Sequence, residues 1–272
     1  MNDVNSSESS MSTAVPEARA PITISVITVC FNAADTIEAT LRSVCAQKDA
    51  HVELIIIDGA STDATMAIVE RYRDRIAKVV SEKDAGIFDA MNKGIGLSTG
   101  EVVYFLGADD SLVDDHVLRE IAAVFSEDDR RLLVYGNVVF TGAPRGVVYG
   151  PARPFIRWSV KEFLNNSFCH QALFARRSLF DDVGKFNDRL RFSADYEWVI
   201  KVFKFAPRSF FYVDRFIANY FYCGRSHTQA ATTRNEVRSF YFRHLRSFDL
   251  YWFYLRYIFL RGLKKQLLRQ PW

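Results

Sequence analysis

Across residues 22–125 the chain alternates short, continuously apolar runs with segments whose apolar residues recur every three to four positions. That alternation is the sequence sign of βαβ units, a parallel sheet with helices laid on its faces. The apolar runs predict strands at residues 24–29, 52–57 and 78–80, and a fourth in the run that begins at Glu101. The periodic segments predict four helices. The first is opened by Asp35, with Glu38 three places on as in a capping box, and buries Ile37, Leu41, Val44 and Cys45 on one face. The others cover residues 63–73 and 87–97 and a stretch starting near Val113.

Beyond Phe125 the alternation loosens. Two further strands are expected at residues 132–135 and 138–140, then a loop region marked by Gly142, Pro144, Gly146, Gly150, Pro151 and Pro154. Helical spacing returns with Tyr196, Val199, Ile200 and Phe203 on one face. The fold class is α/β, a Rossmann-like, mostly parallel sheet flanked by helices. Its domains read as a polar, disordered lead-in over 1–21, a main domain over 22–230 with halves at 22–125 and 126–230, and a tail over 231–272.

Composition changes this picture in one place. The net charge of +3 says little, but residues 232–272 alone carry +7 and leave −4 for the rest. Any basic-surface function therefore belongs to the tail, where residues 248–260 are rich in aromatic and aliphatic side chains. That apolar stretch is too short and too interrupted by arginine to span a bilayer, which wants about 20 apolar residues. A helix lying in the interface, its arginines toward anionic lipid, fits it better; packing against the domain or a second subunit is the competing reading. The four cysteines stand apart, with no metal-ligand or redox spacing, and the polar start has no order of basic then apolar residues, so a reducing cytoplasmic setting is expected.

Candidate chemistry gathers where strands end. The fourth apolar strand runs straight into Asp109 and Asp110, the place where open α/β sheets bind ligands and where carboxylates can hold a hard cation. Capping of the helix near Val113 is the competing use of that pair. Strand two ends in Asp58-Gly59, where glycine lets a nucleoside approach and Asp58 can accept hydrogen bonds from a base or ribose. Asp63 reads as a helix cap. Asp84 follows strand three, and Asp89 and Asn92 share a face of the next helix, lining a pocket or decorating a surface.

Taken in order, Ser25-Val-Ile-Thr-Val-Cys-Phe-Asn32, Asp58-Gly-x-Ser-x-Asp63-x-Thr, Asp84-x-Gly-x-x-Asp-Ala-x-Asn92-x-Gly and Phe105-Leu-x-x-Asp109-Asp110 resemble the family 2 glycosyltransferases of the GT-A fold. The resemblance continues through Cys169-His170-Gln171-Ala172, Val183-Gly184-x-Phe186-Asn187 and Ser193-Ala194-Asp195-Tyr196-Glu197-Trp198, covering roughly residues 22–225. It implies transfer of a sugar, with inversion, from a nucleotide-diphosphate sugar. Val29, Asp58, Asp84, Asn92 and Asp109 would contact the donor, with Asp109 at the ribose. Asp110 would hold Mg or Mn with the donor's phosphates, His170 and Gln171 would face the acceptor or the diphosphate, and Asp195 would be the general base.

There are departures from the family pattern. Met91 stands where many relatives have arginine and Gly107 where many have aspartate, and the stretch from Tyr222 to His227 only partly matches the family's glycine-rich loop. Arg225 and His227 there are candidates for the diphosphate. A lipid-linked saccharide at the inner face of the cytoplasmic membrane is the acceptor that the tail suggests, and no nucleic-acid partner is expected. Two rivals stay open, a nucleotidyltransferase on a related fold and a catalytically silent nucleotide-sugar-binding or membrane scaffold protein.

Overall fold

The computed structural model describes residues 20–141, 148–150, 169–221 and 236. Most of the N-terminal lead-in, part of the expected loop region, the segment from Tyr222 to His227 and the whole tail except Glu236 lie outside the described residues. So do the expectations attached to them.

The strands are β1 (Thr23–Cys30), β2 (His51–Asp58), β3 (Lys78–Ser81), β4 (Val102–Phe105), β5 (Ser111–Leu112), β6 (Leu133–Thr141), β7 (Val148–Gly150), β8 (Leu173–Arg176) and β9 (Phe210–Phe221). They form one sheet in the order β3-β2-β1-β4-β8-β6-β9-β5, with β7 paired to β6. The pairs β3–β2, β2–β1 and β1–β4 are parallel. Because β8 is antiparallel to both β4 and β6, and β9 is parallel to β6, the strands β6 and β9 run the same way as β1–β4. Only β5, β7 and β8 oppose them, so the sheet is mixed but mostly parallel.

Alternation along the central strands explains why both faces are covered. Leu54 and Ile56 pack with Ile24, Val26, Val102 and Tyr104 on one face, whereas Ile55 and Ile57 pack with Ile27, Val103 and Phe105 on the other. The period of two sends successive side chains to opposite faces, and each face meets the apolar stripe of helices. On the first face lie α1 (Ile37–Cys45), α2 (Thr65–Glu70) and α4 (Val117–Glu127). On the second lie α3 (Ile87–Leu97), α5 (Ser178–Asp182) and α6 (Ala194–Phe205). Trp198 anchors α6, stacked on Phe180 at 4.4 Å between ring centroids and donating from its indole to the Gly184 carbonyl.

Four expectations change. α1 starts after Thr36 with no side-chain cap, because Glu38 turns instead to Arg71 and Tyr72 at the end of α2. The helix expected near Val113 begins only at Val117; Ser111 and Leu112 form a strand against Asn219 and Ala218. The two strands after Leu132 are one, β6, with an irregularity around Asn137 that breaks the apolar pattern. On α6 the buried face is wider than the four spaced residues suggest, since Glu197, Trp198 and Val202 are buried as well.

Candidate functional site

In a mostly parallel sheet every parallel strand delivers its last residue to the same edge, and this chain places its candidate residues along that edge. Cys30 ends β1, Asp58 ends β2, Asp84 follows β3, and Asp109 and Asp110 follow β4. β8 runs the other way, with Phe174 opposite Tyr104, so the turn His170–Ala172 before it returns to that edge too.

The first loops are laced together. Both carboxylate oxygens of fully buried Asp58 are committed: Oδ2 accepts from the Ser61 N–H (3.0 Å) and the Ser81 hydroxyl (2.6 Å), and Oδ1 accepts from the Ser61 hydroxyl and the Cys30 thiol. Asn32, held at positive φ (49°), accepts from the Thr62 N–H at 2.9 Å, and its own N–H donates to the Ser61 hydroxyl. Asp63 accepts from the N–H groups of Ala34 and Thr65, tying the start of α2 to the loop after β1. A direct contact between Asp58 and a base or ribose would have to displace one of these internal bonds. Burial first, and the charge of Asp58 next, push the Cys30 thiol far up, so it stays protonated.

Asp84 lies against Gly59, where an added Cβ would come within 2.5 Å of its Oδ2; glycine is needed there for the two loops to meet. Asn92 has a task that the sequence does not show. Its amide nitrogen donates to the Phe186 carbonyl (2.9 Å) and its carbonyl accepts from the Phe186 N–H (3.0 Å), so it clamps the Gly184–Asn187 turn onto α3. Met91 is buried in the second core and does not face the sheet edge as an arginine contact to a donor would. Val29 is half-buried beside that same core.

Asp110 differs from all of these. It is 2% exposed; Oδ1 accepts the Phe221 N–H at 3.0 Å, whereas Oδ2 is buried without a hydrogen bond of ordinary geometry, and the Gln171 side chain lends the carboxyl only a minor further bond. Its backbone is fixed by the turn bond from its own N–H to the Gly107 carbonyl and by the Thr40 hydroxyl of α1, which donates to the Asp110 carbonyl at 2.6 Å. Burial, with the charge of Asp109 added, pushes its carboxyl up to about 6. Gly107 leaves the space open, since a Cβ there would sit 2.7 Å from Asp110 Oδ2 and 2.9 Å from Asp109 Oδ1.

A buried oxygen without a partner beside a second carboxylate is costly unless something positive sits there, and a hard divalent cation answers that need. No group of three or more metal-ligating side chains occurs among the described residues. One or two carboxylates suit Mg or Mn, which take their remaining ligands from phosphates and water. The residues fit such an ion.

Opposite this pair lies a second constellation. His170 Nδ1 is 3.0 Å from Asp195 Oδ2, and a carboxylate there makes the ring the donor. Burial acts to lower the affinity of the His170 ring for a proton. The hydrogen bond and charge of Asp195, with Asp110 and Asp109 behind it, more than reverse that, and the ring is raised above its ordinary value. Asp195 sits in the first turn of α6 and accepts the Tyr196 N–H at Oδ1. Beside the dyad is a cavity of about 40 Å³ lined by His170, Leu173, Asp195, Tyr196 and Val199. A larger cleft of about 810 Å³ lies at the other edge of the sheet, around the starts of β6 and β9, away from these carboxylates.

The turn carrying His170 is held in part by a residue that nothing in the sequence singles out, Tyr104, and in part by its motif neighbours. The buried Tyr104 hydroxyl donates to the Gln171 carbonyl at 2.7 Å, and its ring stacks on Phe174. Gln171 is 5% exposed, and its side chain receives the Cys169 thiol, which burial pushes up to about 12. The Phe221 contact to Asp110 is a backbone amide, so no side-chain pattern could have announced it.

Residues 25–184 match the model of the Glycosyl transferase family 2. A PGL/p-HBAD biosynthesis glycosyltransferase from Mycobacterium tuberculosis is 36% identical over 182 residues, covering 66% of this chain and 69% of that one. The mannosyltransferase PcManGT from Pyrobaculum calidifontis, solved in complex with GDP-Man and Mn2+, superposes with a TM-score of 0.61 at 21% identity over 86% of this chain and 68% of that one. TarS from S. aureus superposes with a TM-score of 0.58 at 21% identity over 78% of this chain, which spans only 38% of TarS.

Proposed function

The chain belongs to Glycosyl transferase family 2 and is a glycosyltransferase, and on that premise we propose that it moves a sugar, with inversion, from a nucleotide-diphosphate sugar to a saccharide hydroxyl. The observation that carries this reading is the pairing at one sheet edge of an unsatisfied buried carboxylate, Asp110, with the His170–Asp195 dyad. The first suits a cation and a diphosphate, the second an acceptor hydroxyl.

Asp195 takes the proton from that hydroxyl as its oxygen attacks the anomeric carbon. A carboxylate suffices, because the proton need leave only as the oxygen bonds to an oxocarbenium-like centre. His170, donating to Asp195 Oδ2, leaves Oδ1 as the face of the carboxylate turned to the helix start and holds the side chain in one rotamer. Asp109 meets the ribose, and Asp84 and Val29 line the nucleoside side. Asp58 and Asn92 act by shaping the loops that form the pocket. Asp110, with Asp109 beside it, would hold Mg or Mn; when bound, such an ion offsets the charge growing on the departing diphosphate. The +7 tail supports a lipid-linked saccharide as acceptor, with the enzyme seated on the inner face of the cytoplasmic membrane. No helix among the described residues is long and apolar enough to cross a membrane.

The test is a panel of nucleotide sugars incubated with Mn2+, following release of the nucleoside diphosphate and, by NMR, the anomer first formed on hydrolysis. The proposal expects turnover of at least one donor with an inverted product. A retained anomer, or no turnover and no binding of any donor, would overturn it.

A further inference from the structure

The acid that prepares the start of α6 comes from far along the chain. Ser193 stands at the N-cap position of α6 but makes no side-chain cap bond to the helix. Its hydroxyl, on a residue 2% exposed, instead donates to Glu236 Oε2 at 2.9 Å. The N–H of Phe192 donates to the same oxygen at 3.0 Å, and the N–H of Arg191 donates to Oε1 at 2.7 Å. One carboxylate thus fixes three successive residues, and Asp195 follows two positions later. Glu236 is one of only two acidic residues against nine basic ones in residues 232–272, so its placement on these donors is not a matter of local composition.

We propose that Glu236 is a positioning residue for Asp195, a strut from the C-terminal segment that sets where the proton-accepting carboxylate stands. Asp195 is held from three sides. His170 takes Oδ2, the Tyr196 N–H takes Oδ1, and Glu236 fixes the backbone that delivers it. The first two orient the side chain; only the third locates the turn itself. An anion at the N-terminal end of a helix is also favoured by the helix dipole, so the strut stabilises the arrangement it defines. Placement matters at this level because an error of about 1 Å in a reacting group can cost about 100-fold in rate. The inference rests on the reading of Asp195 as general base.

The experiment uses full-length protein and water as the acceptor, so that it does not depend on knowing the natural one. Glu236→Gln, Glu236→Ala, Ser193→Ala and the Glu236→Ala/Ser193→Ala pair are compared with Asp195→Asn. The assay is release of nucleoside diphosphate from whichever of UDP-glucose, UDP-N-acetylglucosamine or GDP-mannose the unaltered enzyme turns over. Binding of the corresponding nucleoside diphosphate with Mn2+ and amide hydrogen exchange at residues 191–196 are measured on the same samples. The expected result is a kcat lowered roughly 10- to 100-fold in Glu236→Ala, less in Glu236→Gln, with diphosphate affinity unchanged. Faster exchange confined to Arg191, Phe192 and their neighbours should accompany it, and the double variant should lose less than the two single losses combined. If Asp195→Asn abolishes hydrolysis while Glu236→Ala keeps the normal kcat, the strut is refuted and the base is retained. Loss of diphosphate binding in step with kcat would refute it too, as general unfolding of the site. Full hydrolysis by Asp195→Asn would remove the base reading itself, whatever Glu236 does.

Discussion

Asp58 and Asp110 are the same residue type, almost equally buried, at the same edge of one sheet, and they are bonded in opposite ways. Asp58 has every oxygen satisfied by its own neighbours and so serves the loops around it. Asp110 has one oxygen bonded and one left bare, with Asp109 adding repulsion. The first arrangement is complete without a ligand. The second stores an electrostatic demand that a cation would meet, and the cation could in turn hold a diphosphate. On the proposed function, unfinished bonding, more than burial or position, is what marks Asp110 for a ligand and Asp58 for the loops around it.

The largest expected effect comes from removing the bare oxygen. Asp110→Asn keeps the shape and loses the charge, so metal-dependent turnover should vanish while the circular dichroism spectrum and cooperative melting persist. Near-normal turnover of that variant at saturating Mn2+ would merge the two aspartates into one structural class. Asp195→Asn comes next, with turnover lowered about 10²–10⁴-fold and binding of nucleoside diphosphate retained; a variant that keeps its maximal rate and loses donor affinity would make Asp195 a binding residue.

Gly107→Ala sharpens the comparison from the side, because the added Cβ would press on Asp110 Oδ2 and Asp109 Oδ1. Mn2+ affinity should fall by about tenfold, about 1.4 kcal/mol, with little change in melting temperature. Asp58→Asn should do the reverse. It strips a buried acceptor from several donors and should cost about 1–3 kcal/mol of stability, read by urea denaturation, and any loss of turnover should be recovered by working at lower temperature.

How much of this was legible beforehand depends on where each partner lies. The four strands β1–β4, and the run that ends in Asp109-Asp110, are written locally in apolar alternation and were read with errors of a residue or so. β5 was misread as the approach to a helix because its partner, Asn219, lies more than a hundred residues away. Asn92 looked like a pocket or surface residue because its two bonds go to Phe186, in another half of the chain. Asp58 and Asp110 both read as ligand-binding, the one for the nucleoside and the other for the cation, since nothing local tells which oxygens other loops will reach. Glu236 fell in a segment judged by charge and aromatic content, where a single acid carries no signal.

The smallest effect is one of pH. The Asp110 carboxyl is raised to about 6 from the ordinary aspartate value of about 3.9. Between those values the folded protein keeps a proton that the unfolded chain has lost, so this group lowers stability as pH rises through about 6. A cation binds only the ionised form. Mn2+ should therefore raise the melting temperature by a few degrees near pH 7.5 and by less near pH 5, and equal gains at both would place the ion elsewhere.

The most direct measurement is calorimetric titration of Mn2+ with UDP or GDP into the unaltered protein, Asp110→Asn and Asp58→Asn under the same conditions. The account predicts metal-dependent binding of one nucleotide to the unaltered protein and to folded Asp58→Asn, and none to Asp110→Asn, which should melt no lower than the unaltered protein without metal. Equal metal-dependent binding by Asp110→Asn, or its loss only in Asp58→Asn, would contradict it.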